Sequence, residues 1–217
     1  MGDSSGEVTT RLERLLWNLG YQHVAGVDEV GLGPLAGPVV AAAVVFSPDH
    51  DCLELRDSKK LSPSRRSALD VAIRNSACAV GVGVVEVGEV DRINVRQAGL
   101  EAMRLAVAGL DPGSDYLLVD ACTVPGVEMG QSSYIAADAF IYSVAAASIV
   151  AKVYRDRLMV ELGQRYPGYG FERHMGYGTA VHMEALSRLG PCPVHRQSFA
   201  PVRKYTLPRG GRPGEGT

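Results

Sequence analysis

The run Gly26-Val27-Asp28-Glu29-Val30-Gly31-Leu32-Gly33-Pro34-Leu35-Ala36-Gly37-Pro38 carries the densest chemistry in the chain. Two adjacent carboxylates close an apolar segment and lead directly into a glycine-rich turn. Ionised side chains are costly in such surroundings unless a cation or a partner compensates them. Glycine in the turn removes the Cβ and lets the backbone approach a ligand closely. Together these features point to a metal site beside a surface that receives something phosphorylated. A strand ending in a solvated acidic turn explains the run equally well, and the run alone leaves both readings open.

Two further acids extend the first reading. Asp120 closes the apolar run Leu117-Leu118-Val119, and Asp138 follows Tyr134 to Ala137. Ligands of α/β sheets gather beyond the strand ends, so one cleft can collect Asp28, Glu29, Asp120 and Asp138. Crowded carboxylates repel and raise one another's pKa unless cations neutralise them. Oxygen ligands without His or Cys favour Mg²⁺ or Mn²⁺ over zinc, and two such ions suit an in-line displacement at phosphorus. Each acid also has a plainer role. An Asp that closes a strand is commonly a turn former or cap, and Asp138 is placed to cap a following helix. Adjacent strand residues face opposite ways, which leaves Glu29 to offer its backbone carbonyl or to turn where the strand breaks. Asp156, between Arg155 and Arg157, reads as a local ion-pair residue and stays outside the set.

The elements that must position these acids are legible in outline. Leu12 to Leu19 reads as a leading helix with Trp17 on the core, and Val24–Glu29 and Pro38–Phe46 as a hairpin-like strand pair. Ser62-Pro63 opens a helix to about Asn75, Cys78–Val87 forms a third strand, and Asn94–Leu110 a helix. Tyr116–Asp120 and Tyr134–Ala137 read as strands, and Ser143–Leu162 and Gly178–Leu189 as helices. Strands first in hairpins, later alternating with helices, imply an α/β mixed sheet flanked by helices.

Composition sets bounds without naming a function. Of 217 residues, 46% are hydrophobic and 21% charged, and 22 basic side chains nearly balance 24 acidic ones. Any nucleic-acid surface is therefore local. No apolar run has the length to cross a bilayer, and the expected location is cytoplasmic. Cys52, Cys78, Cys122 and Cys192 form no C-x-x-C pair and read as reduced, mostly buried thiols. Residues 1–10 and 208–217 read as disordered tails around one domain, 11–207, with a helical C-terminal part from about residue 143.

Further motifs follow in order: Asp57-Ser58-Lys59-Lys60-Leu61-Ser62, then Ala145-Ala146-Ala147-Ser148-Ile149-Val150-Ala151-Lys152-Val153-Tyr154-Arg155-Asp156-Arg157. After them come Tyr166-Pro167-Gly168-Tyr169-Gly170-Phe171, His174-Met175-Gly176-Tyr177-Gly178-Thr179 and His195-Arg196-Gln197-Ser198-Phe199. With the acidic motifs, this series resembles bacterial ribonuclease HII from about Gly26 to Val202. The resemblance implies a ribonuclease H-like α/β fold and an endonuclease acting on RNA–DNA hybrids and on single ribonucleotides in duplex DNA. It implies that Asp28, Glu29, Asp120 and Asp138 bind metal and catalyse. It assigns the grip on the ribonucleotide to Gly31, Leu32 and Gly33, and stacking on the adjoining deoxyribose to Tyr177. Lys59 and Lys60, and more weakly Asn94, would meet backbone phosphates. Lys-Lys before a helix also fits a solvated face, and Tyr177 fits a core residue. Tyr166, Tyr169, His174 and His195 read as structural.

Several positions depart from the family pattern. Leu32 stands where an arginine is usual, Met175 where a lysine is, and Ala121 where a glycine is. Ala136-Ala137 replace a Lys-Gly pair. Lost cations predict weaker, less salt-sensitive substrate binding with the metal chemistry kept. A hybrid-binding relative with weakened catalysis is the alternative, and a monomer is the expected state.

Overall fold

Valine- and alanine-rich strands, the first two buried almost throughout, build the centre of the molecule. The computed structural model describes residues 8–55 and 61–206. Helix α1 (Arg11–Asn18) precedes β1 (Val24–Val30) and β2 (Val39–Val45), followed by α2 (Pro63–Ser76) and β3 (Ala79–Val85). Next come α3 (Val87–Ile93), α4 (Val95–Ala108), β4 (Tyr116–Asp120) and β5 (Gly130–Tyr134). A 3-10 turn at Ala137–Ala139 leads into α5 (Tyr142–Arg165), α6 (Phe171–His174), α7 (Ala180–Leu189) and α8 (Ala200–Thr206). The strand order is β3-β2-β1-β4-β5. Strands β1, β2 and β3 pair antiparallel, while β4 runs parallel to β1 and β5 to β4. The expected mixed sheet flanked by helices is the observed architecture.

The two sheet faces have separate cores because side chains alternate along a strand. Val39, Ala41, Ala43 and Val45 of β2 join Ala25 and Val27 of β1 under α4. Val40, Ala42 and Val44 face α5 and α2 on the other side. Ser62 caps α2 by accepting from Arg65 N at 3.3 Å, ahead of a proline in the first turn. Helix α5 starts without a local side-chain cap. Buried Glu13 of α1 supplies one, accepting from Ser143 N at 2.8 Å and Ser143 Oγ at 2.7 Å.

Several expectations need correction. The predicted strand Tyr134–Ala137 lies earlier, at Gly130–Tyr134, and Asp138 belongs to the 3-10 turn. Strand β5 is polar and partly exposed, so backbone pairing to β4 defines it and no hydrophobic pattern marks it. Cys52 and Cys78 are exposed and Cys122 and Cys192 only half-buried, against the expected burial. Thr9, within the predicted tail 1–10, pairs with the chain near Ile141, through Thr9 N to Phe140 O and Tyr142 N to Thr9 O, both 3.1 Å. By contrast, the local ion pair expected of Asp156 is present: it pairs with Lys152, one turn earlier, at 2.6 Å, and also with Arg66 at 3.8 Å. Helix neighbours diverge, whereas residues four apart meet. Helices α3, α6 and α8 were not anticipated; all are seven residues or shorter, too brief for a periodic signal. No described helix is long and apolar enough to cross a membrane.

Candidate active site

Strand register brings the first two acids together. Val27 of β1 pairs with Val119 of β4 in parallel, so Asp28 and Asp120 follow side by side at the ends of neighbouring strands. Both lie on the sheet face covered by α5, by the alternation that places Val27 and Val119 under α4. That face is closely packed. A Cβ on Gly26 would run into the Ser143–Val144 backbone of α5, so only glycine lets the helix cross here. The Asp120 carboxylate accepts from Ala137 N at 2.6 Å, which ties the turn carrying Asp138 to the end of β4. Asp138 is 3% exposed and Asp28 6%.

The other acids act on Asp28 electrostatically. Burial holds Asp28 well above the usual carboxylate range, and the charges of Glu29, Asp120 and Asp138 push it further. A hydrogen bond from the Ser148 hydroxyl of α5 acts in the opposite sense, as does a carboxylate's bond from its neighbour's N–H, here Glu29 N at 2.8 Å. Glu29 takes the other sheet face, as alternation requires. A Cβ on Gly99 of α4 would lie 3.8 Å from Glu29 Cγ and 3.1 Å from Leu32 Cδ2. Even so, Glu29, as the adjacent residue, exerts the largest charge effect on Asp28.

The donor set is entirely carboxylate oxygen, which suits a hard divalent cation such as Mg²⁺ or Mn²⁺. Among the described residues no group of three or more His, Cys, Asp or Glu side chains stands close enough together to hold a metal ion. The fit rests on the shared field and the oxygen chemistry, since a buried carboxyl surrounded by like charges is stabilised by a cation.

The glycine-rich loop that follows the first two acids is held from beneath. Gly31 has φ +97°, a backbone that side chains rarely adopt, and a Cβ there would collide with Arg155. A Cβ on Gly33 would come 3.6 Å from Tyr177 Cε1, so this glycine and the tyrosine ring face one another. Tyr177 is 43% exposed and Leu32 36%. Fully buried Arg155 donates to the carbonyls of Pro38, Ala36 and Met175 at 3.0–3.1 Å. Fully buried Arg196 donates to the carbonyls of Gly31, Leu32, Gly37 and Pro38 at 2.6–3.2 Å. Burial, and then the charge of Arg155, lower the Arg196 pKa to about 9.

The remaining sequence candidates divide. The Oδ1 of Asn94 accepts from Arg96 N at 3.1 Å and Gln97 N at 3.2 Å, capping α4 beside the cleft. Lys59 and Lys60 lie outside the described residues. Tyr169 is structural, donating to Gly190 O at 2.7 Å. Ser148, Arg155, Arg196 and His182 escaped the sequence reading as contributors. Ser148 and Arg155 stand seven apart on an alanine-rich helix, a polar stripe at helical spacing that was available as a signal.

Comparison with known proteins agrees with this geometry. The family model described as Ribonuclease HII matches residues 25–202. Ribonuclease HII of Bacillus licheniformis is 50% identical over 199 residues, covering 92% of this chain and 78% of that protein. Ribonuclease HII of Geobacillus thermodenitrificans is 52% identical over 198 residues, covering 91% and 76%. The crystal structure of ribonuclease H2 from Pyrococcus horikoshii OT3 superposes with a TM-score of 0.69 at 27% identity, covering 84% of this chain and 96% of that one. With the sheet, the grouped acids and this likeness along nearly its whole length, the chain belongs to the ribonuclease HII family of endonucleases.

Proposed function

We propose that the cleft hydrolyses phosphodiesters on the RNA strand of RNA–DNA hybrids and on the 5′ side of single ribonucleotides in duplex DNA. The products carry 5′-phosphate and 3′-hydroxyl ends. The observation that carries the reading is the convergence of Asp28 and Asp120 at the ends of neighbouring parallel strands, with the turn that bears Asp138 tied to Asp120 at 2.6 Å.

Asp28, Glu29, Asp120 and Asp138 would hold Mg²⁺ or Mn²⁺. When bound, such ions lower the pKa of attacking water and offset charge on the leaving 3′-oxygen. The protein's own contribution is placement. Ser148 and the Glu29 N–H orient Asp28, and the Ala137 N–H orients Asp120. Backbone at Gly31 and Gly33 approaches the sugar closely enough to read a 2′-hydroxyl, the group that separates RNA from DNA. The Tyr177 ring, facing Gly33 and open to solvent, stacks on the adjoining deoxyribose. Leu32 supplies no cation, so phosphate contacts fall to other groups, among them Lys59, Lys60 and Asn94.

The deciding assay uses a DNA duplex bearing one ribonucleotide, with Mg²⁺ or Mn²⁺, for wild type and Asp120→Asn. Wild type should cut on the 5′ side of the ribonucleotide, and the variant should not. No cleavage with either ion, or equal cleavage of an all-deoxy duplex, overturns the reading.

A further inference from the structure

Beneath Tyr177 lies a group of imidazoles that the carboxylate chemistry does not use. His182 of α7 and His195, before α8, are fully buried, and His174 ends α6. Their hydrogen bonds fix where the protons are, because the chain of bonds ends on backbone groups of known polarity. Tyr177 O can only accept, so His182 Nδ1, 2.9 Å away, carries a hydrogen. The neutral His182 ring then offers a lone pair at Nε2, and His195 Nε2 at 3.1 Å must donate to it. That leaves His195 Nδ1 as an acceptor, and the Cys192 N–H donates to it at 3.0 Å. The opposite order would turn a His195 Nδ1–H towards Cys192 O at 3.3 Å. It would leave His182 Nδ1 and Tyr177 O, both acceptors, facing each other at 2.9 Å.

His174 is ordered in the same way. Gly176 N donates to its Nδ1 at 3.2 Å, so its Nε2–H donates to Tyr169 O at 2.8 Å. Its ring stacks on His182 with centroids 4.4 Å apart. Burial and then neighbouring imidazole charge lower His195 to about 4, and burial lowers His182, which keeps both rings neutral near pH 7.

What this order supports is the backbone of one residue. Tyr177 N donates to His174 O at 2.9 Å, and Tyr177 O accepts from His182 Nδ1 and from Thr179 N at 2.8 Å. The exposed ring therefore takes its direction from a backbone pinned on both sides. We infer that His182 and His195 form a proton-ordered relay that positions Tyr177 against Gly33 and so sets the grip on the sugar beside the scissile bond. The inference rests on the reading of Tyr177 as the stacking residue.

The test is steady-state cleavage of the single-ribonucleotide duplex by wild type, Tyr177→Ala, His182→Phe, His182→Asn and the Tyr177→Ala/His182→Phe double variant, with Tm measured for each. His182→Phe keeps a ring and loses both nitrogens. It should raise KM by about tenfold, the order of effect of one buried hydrogen bond, with kcat within about twofold of wild type. His182→Asn retains a donor for Tyr177 O and should recover most of that loss. The double variant should match Tyr177→Ala in KM, since the relay has no ring left to aim. KM effects that multiply in the double variant, or a His182→Phe KM equal to wild type, overturn the relay and leave the histidines a core role. An unchanged KM in Tyr177→Ala overturns the stacking assignment, and the relay's purpose with it. Should His182→Phe fail to fold, histidine ¹⁵N spectra of wild type read the same order directly. Hydrogen on His182 Nδ1 and His195 Nε2 supports the relay, and the reverse tautomers overturn it.

Discussion

On the strand-end side of the cleft, buried Asp28 lies in the field of three other acids. Around the glycine-rich loop, Arg155, Arg196, His182 and His195 are equally buried, yet their nitrogens meet backbone carbonyls, backbone N–H groups or each other. The first side concentrates like charge, which makes it costly alone and receptive to a cation. The second satisfies its polar groups internally, which makes it stiff without any ligand. The two regions thus differ in how they handle buried charge.

Substitutions can break that contrast from either side. On the acidic wall, Asp138→Asn should lower turnover by roughly a thousandfold, the order expected for removing a fixed electrostatic stabiliser, with the circular dichroism spectrum unchanged. Turnover within tenfold of wild type would remove Asp138 from the site. Beneath the glycine-rich loop, Arg196→Met strands several buried carbonyls and should cost about 3 kcal/mol or more in urea unfolding. A smaller loss would mean that the loop holds itself.

Asp28→Asn sharpens the comparison, because activity and stability should move in opposite directions. The Asp28 pKa stands above its unfolded value. Its stabilising contribution is therefore complete below the unfolded carboxyl's pKa and is lost as pH rises through the folded one. In metal-free buffer the asparagine variant should melt higher than wild type, with the gap widening as pH rises above about 4. A gap that narrows with pH would refute the buried-charge account.

Smaller effects concern the departures from the family pattern. Ala121 has φ +58°, at a position where the resembling family commonly has glycine. Ala121→Gly should stabilise by about 0.5–1 kcal/mol, because relief of left-handed strain outweighs the extra freedom of the unfolded chain. Calorimetry showing destabilisation would reject this. Leu32→Arg should tighten substrate binding by only about two- to threefold, less than a free phosphate contact would give, because Leu32 lies beside Glu29. Fluorescence anisotropy at two salt concentrations reads both the affinity and its salt slope.

Much of this was legible in one dimension. Apolar runs and the Ser62-Pro63 start located most strands and long helices, since local periodicity and capping are properties of neighbouring residues. Strand β5 escaped because an edge strand held by backbone pairing carries no side-chain pattern. Arg155 was read only as a flanking charge for Asp156, because nothing local says that a guanidinium points inward at carbonyls more than a hundred residues away.

Residue type alone determined which chemistry was possible: four acids without His or Cys beside a glycine-rich turn admit a hard cation and a close ligand. Only the folded chain decided that Asp28 and Asp120 stand on one face and that a histidine pair lies beneath Tyr177. Register, burial and proton order arise from contacts between distant segments, and those contacts exist only after the sheet has paired and α5 has crossed it.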